Sequence, residues 1–203
     1  AIKSVFNNGV SVITGGPGTG KTTLIKGIVK ILENRGKKAA LCAPTGRASK
    51  RMMEATGVEA KTIHRLLGMD GISNHACYDE TSPLNADVII VDEISMADIY
   101  IFSALVKAVP LGARLVLVGD KDQLPSVACG NILSDVIESG IINVVFLTEV
   151  YRQSVKSNIV SNAHRINRGE MPMVKDAKDF FMSTKTDIKG IQSDVLTMVK
   201  TRI

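Results

Sequence analysis

Val10-Ser11-Val12-Ile13-Thr14 is a short, mostly apolar run that opens directly onto Gly15-Gly16-Pro17-Gly18-Thr19-Gly20-Lys21-Thr22. The run suits a buried β-strand, and Lys21 to Arg35 suits a helix closed by Gly36. Between them, Gly15 to Thr22 fits the pattern G-x-x-x-x-G-K-[ST] in the strand-to-helix setting that gives this pattern its meaning. Glycines lack a Cβ, so the backbone can curl until successive N–H groups point inward at phosphate oxygens, while the helix N-terminus adds favourable potential. Gly16, Pro17, Gly18, Thr19, Gly20, Lys21, Thr22 and Thr23 are therefore the expected phosphate cradle. The Lys21 ammonium is expected to reach the β and γ phosphates and the Thr22 hydroxyl to ligate Mg²⁺, which makes ATP and Mg²⁺ the implied cofactors. A glycine-rich turn that binds nothing is the competing reading, and the flanking elements argue against it.

Outward from this loop the alternation repeats. Lys38 to Ala43 reads as a second strand, and Thr45 to Thr56 as a helix opened by a threonine cap and closed by Gly57. Val88 to Val91 reads as a buried strand, Ala97 to Val109 as a helix ended by Pro110, Arg114 to Val118 as a fourth strand and Val144 to Leu147 as a fifth. Strands separated by helices imply an α/β fold, with a mainly parallel sheet covered by helices on both faces. The pattern breaks in a polar stretch at about 69–85, read as a small surface insertion. After it a helix is expected from Asn158 to Arg168, then a short apolar Phe180-Phe181 segment, then a final helix to Ile203.

Three further groups belong at the carboxyl ends of strands, where ligands gather in open parallel sheets. Asp92-Glu93 follows Val88-Ile89-Ile90-Val91. Asp92 is expected to hold Mg²⁺ and Glu93 to orient and deprotonate an attacking water; read alone, Glu93 also suits an acid capping the next helix. Gln123, in Gly119-Asp120-Lys121-Asp122-Gln123-Leu124-Pro125, is a neutral amide able to hydrogen-bond the γ phosphate or that water, the plain alternative being a polar turn. Arg152, after the fifth strand, is able to set a guanidinium against the γ phosphate, or else to serve in a surface ion pair.

Composition narrows the class. A hydrophobic share of 45% with 22% charged residues excludes a disordered or fibrous chain. The net charge of +5 permits a polyanionic partner, and with no Trp and 4% aromatic residues a bound strand would be held through phosphate and sugar more than by stacking. Cys42, Cys77 and Cys129 are widely spaced and suit reduced thiols rather than zinc ligands. No apolar run approaches a membrane span, so a cytoplasmic location is expected. The chain starts at Ala1 without Met, close to the glycine loop, as expected of a piece of a longer protein.

These motifs together resemble superfamily 1 helicases of the RecD-like group. The phosphate loop resembles motif I, Ala43-Pro44-Thr45-Gly46-Arg47-Ala48 motif Ia, Asp92-Glu93 motif II, the Gly119 to Val127 run motif III and Tyr151-Arg152-Gln153 motif IV. Thr62-Ile63-His64-Arg65-Leu66-Leu67-Gly68 looks like the family's next strand-contacting segment. The resemblance implies a P-loop NTPase of RecA-like, three-layer α/β/α architecture. It also implies catalytic or nucleotide roles for Lys21, Thr22, Asp92, Glu93, Gln123 and Arg152, and contacts to single-stranded DNA from Thr45, Arg47, His64 and Arg65. The Gln-Leu-Pro form of motif III looks like the branch that moves 5′ to 3′. In that family a second motor domain closes over the nucleotide, so residues 1–170 are expected to be the first motor domain and 171–203 a tail leading toward the second, with Phe180-Phe181 as its first strand. No Gln precedes Gly15, so the family's adenine-reading glutamine has no counterpart here. A P-loop kinase or phosphotransferase, and a binding module switched by nucleotide, remain the alternative functions.

Overall fold

A computed structural model describes residues 1–69, 75–149, 157–174 and 179–202. The chain divides into two compact units, Ala1–Tyr151 and Arg152–Ile203, each described by itself. In the first unit, six strands form one sheet: β1 (Val10–Gly15), β2 (Ala39–Ala43), β3 (Ala60–Thr62), β4 (Val88–Val91), β5 (Arg114–Gly119) and β6 (Asn143–Leu147). Their order is β3-β2-β4-β5-β1-β6, and every pairing is parallel. Among the described residues six helices accompany them: α1 (Ile2–Asn7), α2 (Lys21–Asn34), α3 (Gly46–Thr56), α4 (Ile63–Leu66), α5 (Ile99–Lys107) and α6 (Ile132–Glu138).

Side chains alternate across a strand, so each strand feeds two cores. Ile13, Val88, Ile90, Val116 and Val118 point into one, where they meet Ile25, Ile28, Val29 and Leu32 of α2 and Met52 of α3. Val12, Ile89, Val91, Leu115 and Leu117 point into the other, against Ile63 of α4, Ile101 and Leu105 of α5, and Ile132 and Leu133 of α6. These are the two outer layers and the buried sheet expected from the strand–helix alternation.

Several helix ends are set by the residues that the sequence singles out. The Thr45 hydroxyl accepts from Ala48 N–H at 3.2 Å, and Gly57, at φ 77°, closes α3 in the left-handed conformation that a glycine adopts without steric cost. The helix expected from Ala97 starts later, at Ile99, because the Asp98 carboxylate caps it, accepting from the Tyr100 and Ile101 amides at 2.9 Å each. A 3₁₀ turn, Ile94–Met96, fills the gap.

In the second unit, α7 (Asn158–Asn167) begins at Ser157, whose hydroxyl donates to Asp179 at 2.7 Å. The buried Asn162 side chain pairs with both backbone groups of Met173, at 2.8 and 2.7 Å, and so pins the chain that follows. The helix α8 (Ile188–Arg202) ends the unit. Phe180 and Phe181 lie in irregular chain, with Phe181 exposed, so the strand expected there is not formed among the described residues.

Candidate nucleotide site

The strand order places the carboxyl ends of β4, β5 and β1 side by side, and this is what assembles the site. Registers Thr14↔Gly119 and Val91↔Leu117 set the phosphate loop, the Asp120 turn and Asp92-Glu93 along one edge. Two hydrogen bonds tie these ends together: Lys121 N–H donates to the Thr14 hydroxyl at 3.1 Å, and Asp92 N–H to the Cys42 carbonyl of β2 at 2.9 Å.

The phosphate loop is built to stay narrow. A Cβ added at Gly15 would lie 2.7 Å from the Leu147 carbonyl oxygen and 2.7 Å from Thr19 Oγ1, so only glycine fits. The buried Thr19 hydroxyl donates to the Gly16 carbonyl at 2.8 Å and ties the turn across its base. Gly18 and Gly20, at φ 76° and 84°, take left-handed conformations that reverse the chain into α2. Lys21 folds back over the loop and donates to the carbonyls of Gly15 and, at 3.2 Å, Gly16. Thr22 follows in the first turn of α2, partly buried, with Thr23 exposed beside it.

At the end of β4 the chemistry is under tension. Burial pushes the Asp92 carboxyl up to about 6, helped by the neighbouring Glu93 carboxylate; the Glu93 N–H, at 3.0 Å, and the cations Lys21 and Arg51 pull the other way. Glu93 is the one non-glycine among the described residues with a positive φ, 53°. Its Oε2 is buried with no hydrogen-bond partner, as is the Ser95 hydroxyl two residues on. A left-handed residue costs roughly 1–3 kcal/mol and an orphaned buried polar atom about as much again, and such costs concentrate where a ligand is to be met. The donor set fits a magnesium-bound nucleotide. Asp92 and Thr22 are the residues that would hold a hard cation together with the phosphates, the usual mode for Mg²⁺.

The other expected residues fall as follows. Gln123 is on the turn after β5, its N–H donating to the Asp120 carbonyl at 3.1 Å and its side chain exposed. Arg152, with Tyr151 and Gln153, lies outside the described residues. Thr45 and Thr62 cap α3 and α4, and the register Ala43↔Thr62 brings these two helix starts to adjacent strand ends. Arg47, His64 and Arg65 are exposed there. Sequence reasoning did not single out Ser95 or Arg51; their roles come from burial and charge in three dimensions, which no motif encodes.

Residues 1–129 match the family described as AAA domain. The chain belongs to that family. It is similar to the ATP-dependent RecD2 DNA helicase of Deinococcus radiodurans, 43% identical over 167 residues that cover 82% of this chain and 23% of the relative. It is also similar to the RecBCD enzyme subunit RecD of Mycolicibacterium smegmatis, 40% identical over 162 residues, covering 68% of this chain and 29% of that one. Among solved structures, a Bacteroides sp Pif1 in complex with ADP-AlF4 superposes with a TM-score of 0.54 at 26% identity, covering 82% of this chain and 45% of the Pif1 chain. The chain thus spans less than a third of the RecD2 and RecD relatives and 45% of the Pif1 chain, and it has a RecD-like, superfamily 1 motor architecture. These likenesses do not favour a kinase or a passive nucleotide switch. No helix among the described residues is long and apolar enough to cross a membrane.

Proposed function

We propose that this chain is the ATP-hydrolysing first motor domain of a DNA helicase, and that in the whole protein its cycle drives movement along single-stranded DNA, 5′ to 3′. The observation that carries the proposal is the convergence of the Gly15–Thr22 loop with Asp92 and Glu93 on one edge of the sheet. Loop amides and Lys21 bind the phosphates, while Thr22 and Asp92 hold Mg²⁺. When bound, the ion offsets the charge of the β and γ phosphates. Glu93 takes the proton from the attacking water, and its orphaned Oε2 has the free acceptor capacity for that. Gln123 senses the γ phosphate and Arg152 stabilises its developing charge. Thr45, Arg47, His64 and Arg65 line the path of the strand, and a second motor domain supplies the opposite wall. The likeness to the ATP-dependent RecD2 DNA helicase and to RecD supports the DNA-helicase reading.

Glu93→Gln tests it. The amide keeps the shape but cannot accept the proton, so nucleotide affinity should persist while phosphate release falls by roughly 10²–10⁴-fold. Turnover that survived the change would remove Glu93 as the base. Stimulation of phosphate release by oligo-dT in the parent chain would separate a DNA motor from an enzyme that acts on a small acceptor.

A further inference from the structure

We infer that the amino end of the sheet carries an anion site apart from the phosphate loop: a cavity that takes a single phosphate group and uses it to hold α1 against the sheet.

The cavity is lined by Phe6 of α1, Arg35 and Lys37 after α2, Asp87 before β4, and Gly112 and Arg114 where β5 begins. Three cations thus meet one carboxylate, and that carboxylate is already engaged. Asp87 accepts from the Lys37 ammonium at 2.9 Å and from the Lys38 N–H at 2.7 Å. Among the described residues neither Arg35 nor Arg114 has a carboxylate partner. Two uncompensated guanidiniums in a concave site call for an oxyanion, which their planar forks of donors match. The volume, about 230 Å³, is below the roughly 300–1,000 Å³ of pockets that enclose a drug-sized ligand, so the site suits a phosphate group with its waters and not a whole nucleotide.

Two features separate the cavity from a solvated basic patch. Arg114 is half-buried: its Nη2 donates to the Phe6 carbonyl at 3.1 Å, and its Nε is buried with no partner. A guanidinium held partly out of water with a donor to spare gains more from an oxyanion than a fully solvated one does. The last carbonyls of α2, whose negative potential would repel an anion, are also engaged. The Gly36 and Lys37 amides donate to the Glu33 and Leu32 carbonyls at 3.0 and 2.9 Å, with Gly36 at φ 63° making the turn. Arg35 lies over the Phe6 ring, 4.5 Å from its centre, while Arg114 holds the Phe6 carbonyl. A phosphate shared by the two guanidiniums therefore closes a clasp around the end of α1.

Amide NMR spectra test the site, with Mg²⁺ and a non-hydrolysable ATP analogue saturating the phosphate loop and inorganic phosphate added at constant ionic strength. The Gly112 and Lys37 amides should move together and saturate near millimolar phosphate, while those of Gly16 to Thr22 stay still. Thymidine 5′-monophosphate in a parallel titration separates the sources: half-saturation below that of phosphate assigns the site to a phosphate carried on a nucleotide or strand end, and above it to the free ion. Arg35→Gln should weaken phosphate roughly two- to five-fold and Arg114→Gln roughly ten-fold or more. Asp87→Asn, which removes the one negative charge, should tighten it roughly two-fold. Lys30→Gln removes a cation of α2 outside the cavity and should match the unaltered chain. Amide exchange at Val5 and Asn8 of the α1 turns should slow by up to about ten-fold when phosphate is at about ten times its half-saturating concentration. Shifts confined to Gly16–Thr22, or equal losses in Arg35→Gln and Lys30→Gln, would overturn the site, and exchange in α1 that ignored phosphate would overturn the clasp. Should Arg114→Gln fail to fold, the opposite signs expected of Arg35→Gln and Asp87→Asn still decide.

Discussion

The two ends of the central sheet are built from the same strands and behave differently. At the amino end, polar groups close on one another. Asp87 accepts from the Lys38 amide at 2.7 Å and from Lys37 at 2.9 Å, the Ser4 hydroxyl donates to Asn143 at 2.6 Å, and Arg114 donates to the Phe6 carbonyl at 3.1 Å, leaving its Nε unpartnered. Arg35 lies over the Phe6 ring, 4.5 Å from its centre. At the carboxyl end, Glu93 sits in the left-handed region, Glu93 Oε2 and the Ser95 hydroxyl are buried without partners, and Asp92 is hard to ionise. Among the described residues the positive-φ non-glycine and two of the three unpartnered buried side-chain atoms fall at the carboxyl end, where the sheet has to meet a ligand, and Arg114 Nε is the third, at the amino end. The strain is offset by the two apolar cores beneath it.

The contrast is broken most directly at Gly15. A methyl group there meets a backbone carbonyl at 2.7 Å, which cannot swing aside as a side chain can. Gly15→Ala should cost about 1–3 kcal/mol of stability and, by displacing the loop, lower nucleotide turnover on the order of 100-fold. Thermal melting and phosphate release measure the two losses. Normal values for both would mean that the loop has room to spare and that the close approach of β6 to Gly15 is incidental.

How much of this was legible in the sequence follows the same division. The phosphate loop, Asp92-Glu93 and the Thr45 and Gly57 caps were readable because each depends on residues adjacent in sequence, and their chemistry is carried by residue type. The sheet's sixth member, β3, was not: Ala60-Lys61-Thr62 is too short to show a period, and it is a strand only because β2 offers it a parallel register. The six-residue α1 has no side-chain cap to announce it, and seven-residue α6 likewise starts at Asn131 without one. The late start of α5 was in principle readable from Asp98, an acceptor placed just ahead of Ile99. For the candidate site, sequence offered residue types but not their state, since the burial that pushes Asp92 up and orphans Glu93 Oε2 comes from the folded surroundings.

Asp92→Asn sharpens the comparison through pH. Because the folded state holds Asp92 at about 6, above its ordinary 3.8, the folded chain binds more protons than the unfolded chain between those values. Stability from this group is therefore present in acid and is lost as pH rises through about 6. The asparagine variant, which cannot ionise and can still accept from the Glu93 amide, should be the more stable at pH 7–8 by on the order of 1–2 kcal/mol, after discounting for residual solvent, with the advantage fading toward pH 4. Melting temperatures of both chains across that range measure it. A gap independent of pH would show that Asp92 titrates normally.

Asp87→Ala gives the smallest effect and the opposite sign. The Lys38 amide and the Lys37 ammonium hold the Asp87 carboxyl below its ordinary value, so its contribution is present above the usual carboxylate range and is lost as pH falls through the lowered folded value. The alanine variant should melt slightly lower than the parent at neutral pH, and the two should converge in acid, where the Asp92 pair also converges but from the other direction. Because Asp87 is at the sheet's amino end, far in the fold from the phosphate loop, the variant should bind nucleotide as the parent does. A loss of nucleotide affinity in Asp87→Ala would mean that the two ends communicate through β4, which carries Asp87 just before its first residue and Asp92 just after its last. The sheet would then be a lever rather than a platform, and the separation of holding from binding argued above would fail at its simplest point.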